Sequence, residues 1–116
     1  MDRGRILILG QSKETTYEIR NLFDNKRFEL EIALNQEVGK QVLANRQMSL
    51  IMIHTEMLKE GDDFFRFLND RAIEVPVLVL GEEASDYRQG DSSRNDIHCF
   101  DKPYVSSDVL GCIDNL

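Results

Sequence analysis

The chain has 116 residues, 41% of them hydrophobic, which suits one compact domain with a single core and is too short for two. A formal net charge of -7 argues against nucleic acid or an anionic membrane as partner, because either needs a local excess of Lys and Arg. No apolar run approaches membrane-spanning length, and the opening MDRGRILILG is too short in apolar residues for a signal peptide, so a cytoplasmic protein is expected.

Arg5-Ile6-Leu7-Ile8-Leu9, stopped by Gly10, is a continuous aliphatic run of the kind that forms a strand buried on both faces of a parallel sheet. The spacing of Ile19, Leu22 and Phe23 predicts a first helix over Thr15 to Asn25, with Thr15 and Glu18 as its capping box. Phe28, Leu30, Ile32 and Leu34 alternate with Glu29, Glu31 and Ala33, the pattern of a half-buried strand near a sheet edge. A helix over Glu37 to Arg46 is expected to turn Val38, Val42 and Leu43 inward. Leu50-Ile51-Met52-Ile53 then repeats the buried-strand pattern and is the candidate centre of the sheet.

Asp62 and Asp63 suit the start of a helix that buries Phe64, Phe67 and Leu68. Val75 to Leu80 reads as a fourth strand with Pro76 at its entry, where a missing N–H does least harm. The segment Glu82 to Asp96 has only Ala84 and Tyr87 as sizeable apolar groups, so a solvated loop or one ragged helical turn is expected, with Ser85 to Asp96 the most mobile internal stretch. Ile97 to Phe100 is a short fifth strand, and Val105, Val109, Leu110 and Ile113 line one face of a closing helix. Strands alternating with helices select an α/β fold, a doubly wound five-stranded parallel sheet with its fourth helix short or disordered. Cys99 and Cys112 stand in neither CxxC nor Cys/His ligand spacing and read as structural thiols.

In such folds the residues just beyond the strands' carboxyl ends decide function, and here they are Gly10 and Gln11, His54, Gly81, and Lys102-Pro103. Through ILIL, LIMIHTEM, PVLVLG and CFDKPY the chain resembles, over essentially its whole length, the CheY-like receiver domains of bacterial response regulators, the phosphorylated modules of two-component signal transduction. That resemblance implies an acidic pair for Mg²⁺ after strand one, a phosphoacceptor Asp ending strand three, a Thr or Ser after strand four, and Lys-Pro after strand five. Carried over by position, the acidic pair falls on Gly10 and Gln11, the acceptor on His54, the hydroxyl on Gly81 and the switch aromatic on Cys99, leaving Lys102 and Pro103 as matches. Met57 also fits, whereas Leu58 stands where Pro is usual. The expected protein is thus a degenerate pseudo-receiver that binds no metal or cofactor, catalyses nothing, and acts independently of phosphorylation. The resemblance also implies a cis Lys102–Pro103 bond.

Other readings of the same residues stay open. His54 reads as a polar residue at a strand end, against a phosphorelay histidine or metal ligand. Glu56, Glu82 and Glu83 are candidates to rebuild a cation site, or to pair with Lys102. The hydroxyl-rich Gly10 to Thr16 loop before a helix offers a flavodoxin-like alternative, binding phosphate, a nucleotide or FMN through backbone amides. Residues 1–116 are expected to be the amino-terminal part of a longer protein with an output domain, such as a transcription activator. A homodimer contact by the last helix and the edge around strand five is expected from where receivers pair, with Cys99, Tyr104, Val105 and Val109 as candidates and Asp101 and Asp108 at the rim. Val105 and Val109 read equally well as the buried stripe of that helix.

Overall fold

A computed structural model of the chain describes residues 4–23, 28–58, 63–89 and 97–115. Its strands are β1 (Gly4–Leu9), β2 (Phe28–Ala33), β3 (Leu50–His54), β4 (Val77–Gly81) and β5 (Ile97–Asp101), all parallel, in the order β2-β1-β3-β4-β5. The helices are α1 (Lys13–Arg20), α2 (Gln36–Asn45), α3 (Thr55–Leu58), α4 (Asp63–Asp70), α5 (Ala84–Gln89) and α6 (Ser106–Asp114). This is the flavodoxin/CheY-like doubly wound architecture that the alternation of elements predicts.

The aliphatic runs form the middle of the sheet. Ile6, Leu7, Ile8 and Leu9 of β1 lie beside Leu50, Ile51, Met52 and Ile53 of β3, and β3 in turn pairs with β4 from Ile51↔Val77 to His54↔Leu80. Because strand side chains alternate between faces, these runs feed two cores. One face holds Leu7, Leu9, Ile51, Ile53, Val77 and Val79 under α2, α3 and α4. The other holds Ile6, Ile8, Leu50, Met52, Leu78 and Leu80 under α1 and α6. At roughly 25 cal/mol per Å² of apolar surface removed from water, this two-sided burial is the dominant favourable contribution to folding.

Several local expectations need correction. α1 starts earlier than Thr15, because Ser12 is its cap: Ser12 Oγ accepts from Thr15 N at 3.1 Å. It also stops at Arg20, after which Leu22 N and Phe23 N donate to Ile19 O and Arg20 O in tightened turns. On β2, Phe28 and Leu30 reach the α1/α6 core, but Ile32 and Leu34 are left exposed. α1 packs over β1, Phe23 beyond its end meets Phe28, and Ile32 and Leu34 lie at the flank of the helix. In α2, Val42 and Leu43 pack partly against the core as expected, but Gly39 is the buried residue and Val38 is exposed, because the helix comes so close to Leu9 that only a residue lacking Cβ fits at 39. In α4, Phe64 and Leu68 are fully buried and Phe65 nearly so, while Phe67 packs only partly, with Lys40 and Arg71 over its ring. The expected cap on Asp62 and Asp63 lies outside the described side chains.

The turn α3 was not expected, and it buries Met57 and Leu58 directly after β3. The stretch after β4 holds the six-residue α5 where a loop or single turn was expected, anchored by fully buried Ala84 and by Ser85 N donating to Asp101 Oδ1 at 2.9 Å. The rest of the Ser85 to Asp96 segment, from residue 90, lies outside the described residues. Val105 is the N-cap of α6 and 58% exposed, so it stands apart from the buried stripe of Val109 and Ile113.

Two helical glycines yield a paired test. A Cβ on Gly39 would lie 2.4 Å from Leu9 Cδ2, whereas one on Gly111 in α6 meets nothing within 4 Å. Gly111→Ala is expected to raise stability by about 0.5–1 kcal/mol through helix propensity. Overpacking of about 1–3 kcal/mol outweighs that gain at Gly39, so Gly39→Ala is expected to be destabilising. Urea denaturation of both variants checks the opposite signs.

Candidate functional site

The parallel sheet brings the carboxyl ends of β1, β3, β4 and β5 to one edge, where Gly10, His54, Gly81 and Lys102 follow from their strands. His54 closes β3 opposite Leu80 and is 5% exposed. Its Nδ1 accepts a hydrogen bond from Glu56 N at 3.3 Å and lies 3.7 Å from Glu56 Oε2. An Nδ1 that accepts this bond leaves the proton of a neutral imidazole on Nε2. That Nε2 points at the end of β4.

Gly81 sits there with φ +129°, and a Cβ on it would lie 2.5 Å from Thr55 Oγ1, 3.0 Å from His54 Nε2 and 3.1 Å from His54 Cε1. Position 81 therefore requires glycine twice over, for its backbone angle and for space. His54 and Thr55, both buried, fill the volume that a side chain at 81 would need. Across the edge, Gly10 N donates to Ala33 O at 3.2 Å, and a Cβ on Gly10 would meet Thr16 Cγ2 at 3.0 Å and Thr15 Cγ2 at 3.3 Å. Gln11 is exposed. The hydroxyls of the following loop are engaged within α1 itself: Ser12 Oγ caps the helix, and Thr16 Oγ1 donates to Lys13 O at 2.9 Å.

Lys102 N donates to Gly81 O at 3.0 Å, and the Lys102–Pro103 bond is cis, as the resemblance implies. The pairing of the ammonium with Glu56, Glu82 or Glu83 that the sequence suggests is not what the structure shows. The ammonium turns outward to α1, with Nζ 3.4 Å from Glu18 Oε2. Glu56 is instead beside His54, Glu82 is exposed, and Glu83 adopts a left-handed backbone with φ +58°. Glu18, Glu82, Lys102, Pro103 and Tyr104 line an open cavity of about 450 Å³. The Tyr104 hydroxyl is buried there, and desolvation, followed by the negative charge of Glu18, raises its pKa above the usual 10.0. Among the described residues, no three His, Cys, Asp or Glu side chains gather in a way that could hold a metal ion. No described helix is long and apolar enough to cross a membrane.

The structure thus joins His54 with Gly81, and Lys102 with Tyr104, but it does not gather the four expected contact residues on one surface. Cys99 packs into the core on the α2/α4 side, Tyr104 packs against the core on the α1/α6 side, and Val109 is fully buried. Val109 is thereby removed as a contact residue, and only Val105 is well exposed. Sequence reasoning missed Thr55 and the role of Glu18. Thr55 directly follows a buried strand and could have been suspected, whereas nothing in the sequence links Glu18 to a lysine 84 residues away.

No protein-family model matches the chain, and no curated protein matches its sequence. Its fold does match solved structures of receiver domains. The signal receiver domain of an HD domain-containing protein from Pseudomonas fluorescens Pf-5 superposes with a TM-score of 0.82 at 15% identity, over 98% of this chain and 94% of that one. The chemotaxis response regulator CheY4 of Vibrio cholerae gives 0.75 at 14% identity, over 98% of both chains. Full-length FixJ from B. japonicum gives 0.82 at 11% identity, over 99% of this chain and 58% of that one. The chain has the fold of response-regulator receiver domains.

Two outcomes follow from this geometry. Gly81→Ala is expected to cost about 2 kcal/mol or more, combining a disfavoured backbone with a collision, as read by urea denaturation. Tyr104 supplies a pH test. A folded-state pKa above that of the unfolded chain means its contribution to stability is complete below pH 10.0 and is lost as pH rises through the elevated value. Tyr104→Phe is expected to show a smaller drop in urea midpoint between about pH 8 and about pH 11 than the parent protein.

Proposed function

We propose that this chain is a receiver-like regulatory module of signal transduction that works without phosphorylation, has no catalytic activity of its own, and acts through protein contacts. The packing of His54 and Thr55 against Gly81 is the observation that carries the reading. In the receiver family, the corresponding corner is where the phosphoryl group attaches and a hydroxyl holds it. Here position 54 carries an imidazole in place of an acceptor carboxylate, and with Thr55 it leaves no room for a side-chain hydroxyl at 81.

Two further features support the same reading. Gly10 and Gln11 bring no carboxylate to the end of β1, and a hard cation such as Mg²⁺ needs oxygen ligands of that kind. Lys102 pairs with Glu18 on α1, outside the corner that its counterpart neutralises in the family. A module arranged in this way relays signals only through its surfaces. The natural recipients are an attached output domain, such as a transcription activator, or a second copy, in the cytoplasm of a bacterium.

Treatment with acetyl phosphate and Mg²⁺ is expected to leave the intact mass unchanged while a phosphorylatable receiver treated in parallel gains a phosphoryl group. A stable, Mg²⁺-dependent gain of one phosphoryl group on this chain overturns the proposal.

A further inference from the structure

The described surface carries one apolar feature that the strand-end corner does not use. Five large hydrophobic residues are exposed, and three of them, Tyr17 at 56%, Ile32 at 38% and Leu34 at 43%, line a single groove of about 310 Å³ with Lys13, Thr16 and Arg20. The groove lies where α1, packed over β1, flanks the second half of the edge strand β2, so that Ile32 and Leu34 stand beside the helix and not beneath it. A fourth exposed apolar residue, Val38, sits in the first turn of α2, shortly after Leu34.

We propose that this groove is a docking site for an acidic segment of a partner protein that places a large apolar side chain between two carboxylates. The charge arrangement selects that occupant. Lys13, Tyr17 and Arg20 are spaced i, i+4 and i+7, so they share one side of α1 facing β2. Glu14 and Glu18 point elsewhere, Glu18 toward Lys102. Among the described residues, no carboxylate lines the groove and neither Lys13 nor Arg20 is ion-paired. A chain of net charge -7 thus presents two cations, unpaired among the described residues, at the ends of its exposed apolar strip.

The two cations are about 10.5 Å apart along the helix axis, at 1.5 Å per residue. That span matches carboxylates about three residues apart in an extended segment. A small molecule fits poorly, since a groove with such exposed walls cannot enclose most of a ligand's surface. A second copy is also a poor fit. Away from this edge its described surface offers only Val105 as an exposed large apolar group, a short side chain with Asp108 one turn on. The inference is independent of whether the strand-end corner accepts a phosphoryl group.

Selection of a displayed library of short linear peptides against the folded protein tests the proposal. Enriched peptides are expected to combine Asp or Glu with Leu, Ile, Phe or Trp, and to bind more weakly as salt is raised. Their affinity, read by fluorescence anisotropy, is expected to fall about tenfold in Arg20→Glu and in Lys13→Glu, the scale of losing and reversing a rim charge pair. Ile32→Asn should weaken binding at every salt concentration. All three positions are exposed, and circular dichroism checks that the variants remain folded. Failure to enrich any peptide, enrichment of neutral or basic ones, or binding indifferent to all three substitutions overturns the proposal. So does a concentration-dependent dimer in light scattering that Tyr17→Glu abolishes, which would assign the groove to a second copy.

Discussion

The two-sided burial of β1, β3 and β4 is the constraint on which the rest of this molecule depends. A strand that is apolar on both faces has to be covered on both, and parallel neighbours need long crossovers, so the covering elements are helices placed alternately above and below. The same requirement carries all the strand-to-helix turns to one edge. The residues after Leu9, His54, Gly81 and Asp101 meet there because the aliphatic ladder is in register, whatever their own chemistry.

At that edge, packing and electrostatics have separated. The His54, Thr55 and Gly81 cluster is closely packed, with Glu56 N donating to His54 Nδ1 beside it. The charged pair of the region, Lys102 with Glu18, lies at the surface, where solvent screens it and its stabilisation is small. Tyr104 joins the two zones, its ring in the α1/α6 core and its hydroxyl against Glu18. A switch at this edge would need a charge to appear where the ring and the threonine now pack, and the Lys102 ammonium is paired with Glu18 on α1.

How far the sequence foretold this depended on the range of the interaction. Central strands were legible because continuous Val, Ile and Leu runs bounded by Gly or Pro have few alternatives at that length. The strand-end positions were legible for the same reason, since each is fixed by the strand before it. What failed was set by contacts distant in sequence. Val38 was expected inward and Gly39 is inward, because the choice is made by Leu9 on another strand. Ile32 and Leu34 follow a faultless alternation and are nonetheless exposed, because α1 packs over β1 and only flanks this part of the edge strand. The partner of Lys102 was misjudged because the chain gives no measure of which carboxylate a long side chain reaches. α5 formed despite little apolar surface because Ala84 is buried and Asp101 holds the amide of Ser85.

The fit around Gly81 also has a historical meaning. With Thr55 Oγ1 2.5 Å and His54 Nε2 3.0 Å from where a Cβ would stand, positions 54, 55 and 81 do not vary independently. A mutation that adds a side chain at 81 while the imidazole is in place lowers stability at once, in a protein that has only a few kcal/mol to lose. The viable order is the reverse, in which 54 shrinks first, the neighbouring threonine relaxes, and only then is a hydroxyl admitted at 81. With His54 in place, a direct change at 81 is therefore disfavoured, and a change at 54 has to come first. The corner thus resists change at 81 for as long as His54 and Thr55 keep their present packing.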